Sequence, residues 1–156
     1  MDIQGNQMTK EIEAWINETL SKPNEIFGNL PPCPYARKAW KDNKVKVTHD
    51  KAVLMEDYAK LKSGEIDLIM IIQQDAKIDE LYKLKDHLES NLGKDFVILE
   101  DHPELKEEVG GMNLNFGKPV LFVQNRDKLT EARKFLENTD YYKNFEKEYK
   151  DDILSN

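Results

Sequence analysis

The sequence predicts a single-domain α/β fold built on a four-stranded mixed sheet with helices on both faces, and three observations carry that prediction. Short apolar runs bounded by Gly, Asp or Pro alternate with longer stretches whose apolar residues recur at helical spacing. The run 66–73 is apolar almost throughout, as a strand covered on both faces must be. Neither a repeat nor a low-complexity linker divides the 156 residues, so 1–156 reads as one domain, large enough to bury a core without metal or disulfide.

Residues 1–7 are polar and read as loose. Met8, Ile12, Trp15, Ile16 and Leu20 then form a helical stripe that Pro23 stops. The stretch 23–32 holds Gly28 and three prolines and reads as irregular chain, followed by a short helix over 34–41. A strand over 44–48 places Val45 and Val47 on one face. Asp50 is a fitting N-cap for a helix carrying Val53, Leu54, Tyr58 and Leu61, closed at Ser63-Gly64. After the strand 66–73, Asp75 caps a long helix whose stripe is Ile78, Leu81, Leu84 or Lys85, Leu88 and Leu92, ended by Gly93. Strands are expected over 96–99 and 119–123, separated by a long stretch, 101–118, with no clear period. Asp127 caps a helix bearing Leu129, Ala132, Phe135 and Leu136. Tyr141, Tyr142, Phe145, Tyr149 and Ile153 read as a final amphipathic helix, its aromatics docked on the core, with 154–156 loose. Strands 66–73 and 119–124 should lie side by side or nearly so, with the helix over 76–92 on one face.

The net charge of −7, with 34% of residues charged, argues against a nucleic-acid or anionic-membrane partner. A local basic group, Arg37, Lys38, Lys41, Lys44 and Lys46, reads as an ordinary solvated face. The N-terminus lacks the apolar core of a signal peptide, and the longest apolar run is too short to span a bilayer. A soluble cytoplasmic protein is the expectation; nothing in the pattern sets an oligomeric state.

Chemistry is concentrated at Cys33, the only cysteine. Pro34 suits the first position of a helix, which puts Cys33 at the N-cap, facing unpaired amides and the positive end of the helix dipole. Both lower a thiol pKa, and Arg37 four residues on adds positive charge. The alternative is a small buried hydrophobe. Tyr35 would flank the thiol as a contact surface. His102, between Asp101 and Pro103 at a strand end, is a candidate base or a plain loop residue. His49 ends the first strand on the same edge, and His87 sits within the long helix. Cys33, His49 and His102 suit a zinc or iron site by ligand type, but no pair of them has tight ligand spacing. Glu107-Glu108 and Asp151-Asp152 read as solvated surface. Gly110-Gly111-Met112-Asn113 reads as a flexible turn, since no phosphate-loop fingerprint surrounds it.

The segment Cys33-Pro34-Tyr35-Ala36-Arg37-Lys38-Ala39 resembles the active-site segment of glutaredoxins, Cys-Pro-Tyr-Cys followed by a basic residue and alanine, with Ala36 in place of the second cysteine. The resemblance implies a thioredoxin-like fold and a monothiol chemistry. Cys33 would be the nucleophile, Pro119 the substrate platform that a cis-proline supplies in that family, and an external thiol such as glutathione the resolving partner. The pattern departs from the family in three ways. No strand precedes Cys33, one strand–helix unit too many separates it from Pro119, and Gln124-Asn125-Arg126-Asp127 lacks the Gly-Gly-Asp glutathione turn. Cys33-Pro34-Tyr35-Ala36 is also similar to the Cys-Pro-Phe-Ala segment of a family of small uncharacterised bacterial proteins. That likeness extends to a Trp-bearing helix before the motif, an acidic middle, His102-Pro103 and a Pro-led apolar strand, and it brings no known activity.

Three functions follow as expectations. The first is a thiol-dependent redox or thiol-transfer protein acting through Cys33, with Arg37 and His102 assisting and Tyr35 and Pro119 contacting substrate. The second is a non-catalytic accessory or regulatory protein that binds a protein partner. The third is a metal-dependent enzyme using Cys33, His49 and His102. The thiol reading requires the stretch 101–118 to fold over Cys33 and bring His102 or Pro119 to the sulfur.

Overall fold

The computed structural model describes residues 3–105 and 108–155. Four strands form one mixed sheet in the spatial order β1-β2-β6-β3: β1 (Val45–Thr48), β2 (Leu68–Ile72), β3 (Phe96–Asp101) and β6 (Val120–Asn125). β1 runs parallel to β2, and β6 is antiparallel to both β2 and β3. Strands 66–73 and 119–124 are thus direct neighbours, as their apolar character requires. The helices are α1 (Ile3–Trp15), α2 (Ala36–Lys41), α3 (Met55–Ser63), α4 (Ile78–Leu92), α5 (Arg126–Glu137) and α6 (Lys147–Ser155).

Strand alternation sorts the core into two layers. Ile69, Ile71, Leu121, Val123 and Ile98 face α3 and α4, where Tyr58, Leu61, Leu81 and Leu88 close over them. Met70, Ile72 and Val120 face the other way and are covered by Met8, Ile12 and Ile16, with Trp15, Trp40 and Phe122 at the margin. Each fully buried Leu or Ile of this kind contributes about 1.5–3 kcal/mol of transfer free energy. A third cluster gathers Phe27, Val109, Leu136, Tyr141 and Tyr142, with Phe145, Tyr149 and Leu154 packed against it. The C-terminal aromatics are therefore core, as expected, but they reach it by turns. Only α6 is helical among residues 141–155, and Tyr141, Tyr142 and Phe145 precede it.

Several boundaries differ from the sequence expectation, each for a local reason. α1 begins at Ile3, so most of the 1–7 stretch extends the helix, while Met1 and Asp2 lie outside the described residues. At the other end α6 runs through Ser155 and its Leu154 packs into the aromatic cluster. The cap of α3 is Leu54 rather than Asp50, whose N–H instead takes Thr48 Oγ1, and Leu54 and Met55 are left exposed. α4 starts at Ile78, where the Glu80 carboxylate accepts the Lys77 N–H in place of an Asp75 cap. α5 is capped by Asn125, whose side-chain oxygen accepts the Lys128 N–H, and not by Asp127.

The described residues of 101–118 include more regular structure than the sequence suggests. They contain a two-stranded hairpin, β4 (Glu108–Val109) and β5 (Met112–Asn113), turned at Gly110 and Gly111, both with positive φ. At Gly110 a Cβ would lie 2.7 Å from Ile26 Cγ2, so glycine is needed for both backbone and space. Of the acidic pair Glu107-Glu108, the first lies outside the described residues.

Two residues of the expected core stripes separate sharply: Leu81 is 1% exposed and Phe135 is 62% exposed. Leu81→Ala should therefore cost about 2–5 kcal/mol in urea unfolding, while Phe135→Ala should change stability by less than about 0.5 kcal/mol.

Candidate functional site

Cys33 does not cap the following helix. Its carbonyl accepts the Ala36 N–H at 3.4 Å, closing a β-turn in which Pro34 occupies the second position. Proline's fixed φ suits that place as well as it suits the start of a helix. The helix proper begins at Ala36, with Tyr35 as its N-cap at φ −100 and ψ −16. The cysteine is held from both sides. Its N–H donates to Leu20 O at 2.8 Å, and the neighbouring Pro32 carbonyl accepts a hydrogen bond from the Tyr141 hydroxyl.

Burial pushes the Cys33 thiol above the ordinary cysteine range. Backbone hydrogen bonds from Tyr35 and Ala36 to the sulfur work in the opposite direction and are the weaker influence. Arg37 is exposed and takes no part in that balance. The expectation of an activated thiol is corrected on this point: sequence spacing shows the amides but not the desolvation that outweighs them. Tyr141, itself buried, is pushed strongly upward by its surroundings first and by the nearby Cys33 second.

Cys33, half-buried, borders an apolar cleft of about 680 Å³. One wall is the start of α2, with Tyr35, Ala36 and Ala39. The other is α5, with Leu129, Ala132 and Phe135. Leu68, Gln124 and Asn125 floor it at one end of the sheet, and Asp67, Lys128 and Glu131 stand at its rim. Lys128 Nζ lies 3.7 Å from Asp67, and the aromatic side chains of Tyr35 and Phe135 remain 45% and 62% exposed beside the cleft.

His102 and Pro119 are at the opposite end of the sheet. The register pairs Asp101 with Val120 and Ile72 with Val120, whereas the cleft lies where Leu68 pairs with Gln124. Four residues of β2 separate these levels, or about 13 Å of strand. The structure therefore brings together Cys33 and Tyr35 but leaves His102 and Pro119 away from them. His102 is buried and engaged at both ring nitrogens: Nδ1 accepts the Glu104 N–H at 3.1 Å and Nε2 donates to Ala76 O at 3.0 Å. Pro119 sits in a trans peptide, and its carbonyl accepts the Gln73 N–H.

The described residues of the stretch 101–118 do not fold over Cys33. Asn115 donates to the carbonyls of His102 and Leu105, Phe116 N–H donates to Asp101, and Trp15 Nε1 donates to Leu114 O. These bonds fasten it at the far end. His49 is at that end too, with Nδ1 3.3 Å from Ile72 O, while His87 lies on α4 beside Asn91. Among the described residues no group of three His, Cys, Asp or Glu is placed to hold a metal ion, so Cys33, His49 and His102 do not form a metal site. Among the described residues no helix is long and apolar enough to cross a membrane.

The α5 wall of the cleft escaped sequence reasoning, because Leu129, Ala132 and Phe135 read as a core stripe. The one signal available was the shortage of large apolar residues on α2, where Ala36 and Ala39 leave room. Searches of known protein families, of characterised proteins and of solved structures find no match to this chain.

Two outcomes test this description. Alkylation of Cys33 by iodoacetamide should be slower than that of a free thiol at pH 7.5 and should still be rising beyond pH 9; a plateau below pH 8.5 would contradict the raised pKa. Tyr141→Phe should cost about 1–3 kcal/mol at neutral pH by leaving the Pro32 carbonyl unpaired. A folded-state phenol pKa above the unfolded value of about 10 contributes stability that is present below pH 10 and lost above it, by about 1.4 kcal/mol per pH unit. The alkaline decline of wild type, measured by urea unfolding between pH 9 and 11, should therefore be shallower in Tyr141→Phe.

Proposed function

We propose that the protein is a non-catalytic binding module, an accessory or regulatory protein that receives an apolar group of a protein partner in the cleft between α2 and α5. The observation that carries this reading is the cleft itself, apolar on both walls and flanked by two aromatic side chains left in water. Its volume falls in the range of formed ligand sites, about 300–1,000 Å³, with few polar groups among many apolar ones. Exposed aromatics at a concave apolar surface are the residues from which interface anchors are built. The raised thiol pKa and the absence of a histidine at the cleft favour Cys33 as part of its wall.

A second reading, thiol transfer through Cys33 with an external thiol such as glutathione as resolving partner, is favoured by one observation. The Tyr35 and Ala36 amides address the sulfur, and they would stabilise a thiolate once one formed. In that reading Tyr35 contacts the substrate, and the glutaredoxin resemblance supplies the chemistry.

Nile red, neutral and apolar, tests the cleft directly. It should bind saturably at one site per chain. Ala132→Trp, which fills the space between the walls, should abolish binding, Phe135→Ser should weaken it severalfold, and Cys33→Ser should leave it within about twofold. Saturable binding that persists in a folded Ala132→Trp, or no binding by wild type, would overturn the binding reading. Glutathione-dependent disulfide reduction that vanishes in Cys33→Ser would establish the second reading instead.

A further inference from the structure

The polar groups around the cleft narrow what its occupant must be. Gln124 projects from β6 at the cleft floor, half-buried, and its side-chain amide has no hydrogen-bond partner among the described residues. A primary amide offers a donor and an acceptor side by side, the complement of a peptide group, and a half-buried amide is satisfied only by a ligand or water. At the rim the charges are two carboxylates, Asp67 and Glu131, against one ammonium, Lys128. Lys128 is already paired with Asp67 at 3.7 Å, which leaves Glu131 as the charge without an ion-pair partner among the described residues. Glu131 also precedes Phe135 by four residues on α5, so the carboxylate and the exposed ring share one helix face. The whole chain carries −7, so the long-range field adds to the local one.

We infer that the occupant is a peptide segment of a partner protein in which an apolar side chain stands next to a basic residue. The apolar side chain enters the cleft, the segment's backbone amide pairs with Gln124, and the basic residue meets Glu131. This inference rests on the binding reading above and adds the chemistry of the partner to it.

Displacement of Nile red by short capped peptides separates the two claims. N-acetyl-Phe-Arg-amide should displace the dye at about three- to tenfold lower concentration than N-acetyl-Phe-Glu-amide at low salt, a range set by one exposed ion pair exchanged for one repulsion. The preference should fall below about twofold in Glu131→Gln and in 0.5 M sodium chloride. Gln124→Leu should weaken both peptides alike by about three- to tenfold, with each peptide's affinity corrected for the variant's own Nile red affinity. Equal displacement by the two peptides, an arginine preference that survives Glu131→Gln, or peptide affinity unchanged in Gln124→Leu would each overturn the inference with the cleft still binding dye. Failure of wild type to bind Nile red at all would overturn the reading beneath it.

Discussion

The placement of β6 between β2 and β3 is the constraint on which the rest of the molecule depends. Paired along both edges, this strand is committed to one register on each side, and a slip by one residue would turn Leu121 and Val123 out of the layer they fill. That register sets what each end of the sheet holds. Val120 marks the end where Pro119, His102 and the fastened 101–118 stretch lie, and Gln124 and Asn125 mark the end that opens beneath Cys33. The strand also hands the chain directly to α5, so the cap residue Asn125 serves at once as last residue of the sheet, start of the helix and floor of the cleft.

Burial and helix-start amides compete at Cys33, and burial prevails. Amide groups act on a sulfur through partial charges, and α2 has only six residues, so little dipole accumulates behind them. Desolvation penalises the full charge of a thiolate. Tyr141 lies close enough to Cys33 to feel its charge, and its hydroxyl holds the Pro32 carbonyl next to the cysteine. A site shaped this way is suited to packing against an apolar group.

The fold was largely legible in the sequence because its signals are local. The apolar run at 66–73, the stripe ending in Leu88 and Leu92, and the alternation of Val45 and Val47 each report their own element. Helix starts were less legible: Asp50, Asp75 and Asp127 are all good capping residues, and the chain uses Leu54, Lys77 and Asn125 instead. Which of several polar residues caps depends on where the strand before it ends, and this is settled by pairing. The site was legible by half. Cys33 and Tyr35 stand together because they are neighbours in sequence, whereas Phe135, Ala132 and Gln124 join them through strand order, which no local pattern encodes. His102 illustrates the converse: a histidine at a strand end looks chemical, yet both nitrogens are occupied in holding a loop.

The two walls of the cleft are far apart in the chain, α2 near its beginning and α5 near its end. During synthesis at about 5–20 residues per second, the α2 wall leaves the ribosome many seconds before its counterpart. Through that interval Ala36, Ala39 and the motif around Cys33 face water or whatever else binds there. Pro32 waits still longer, because the hydroxyl that satisfies its carbonyl belongs to Tyr141. The nascent chain thus displays this segment unguarded, and only arrival of the C-terminal third completes the cleft around Cys33.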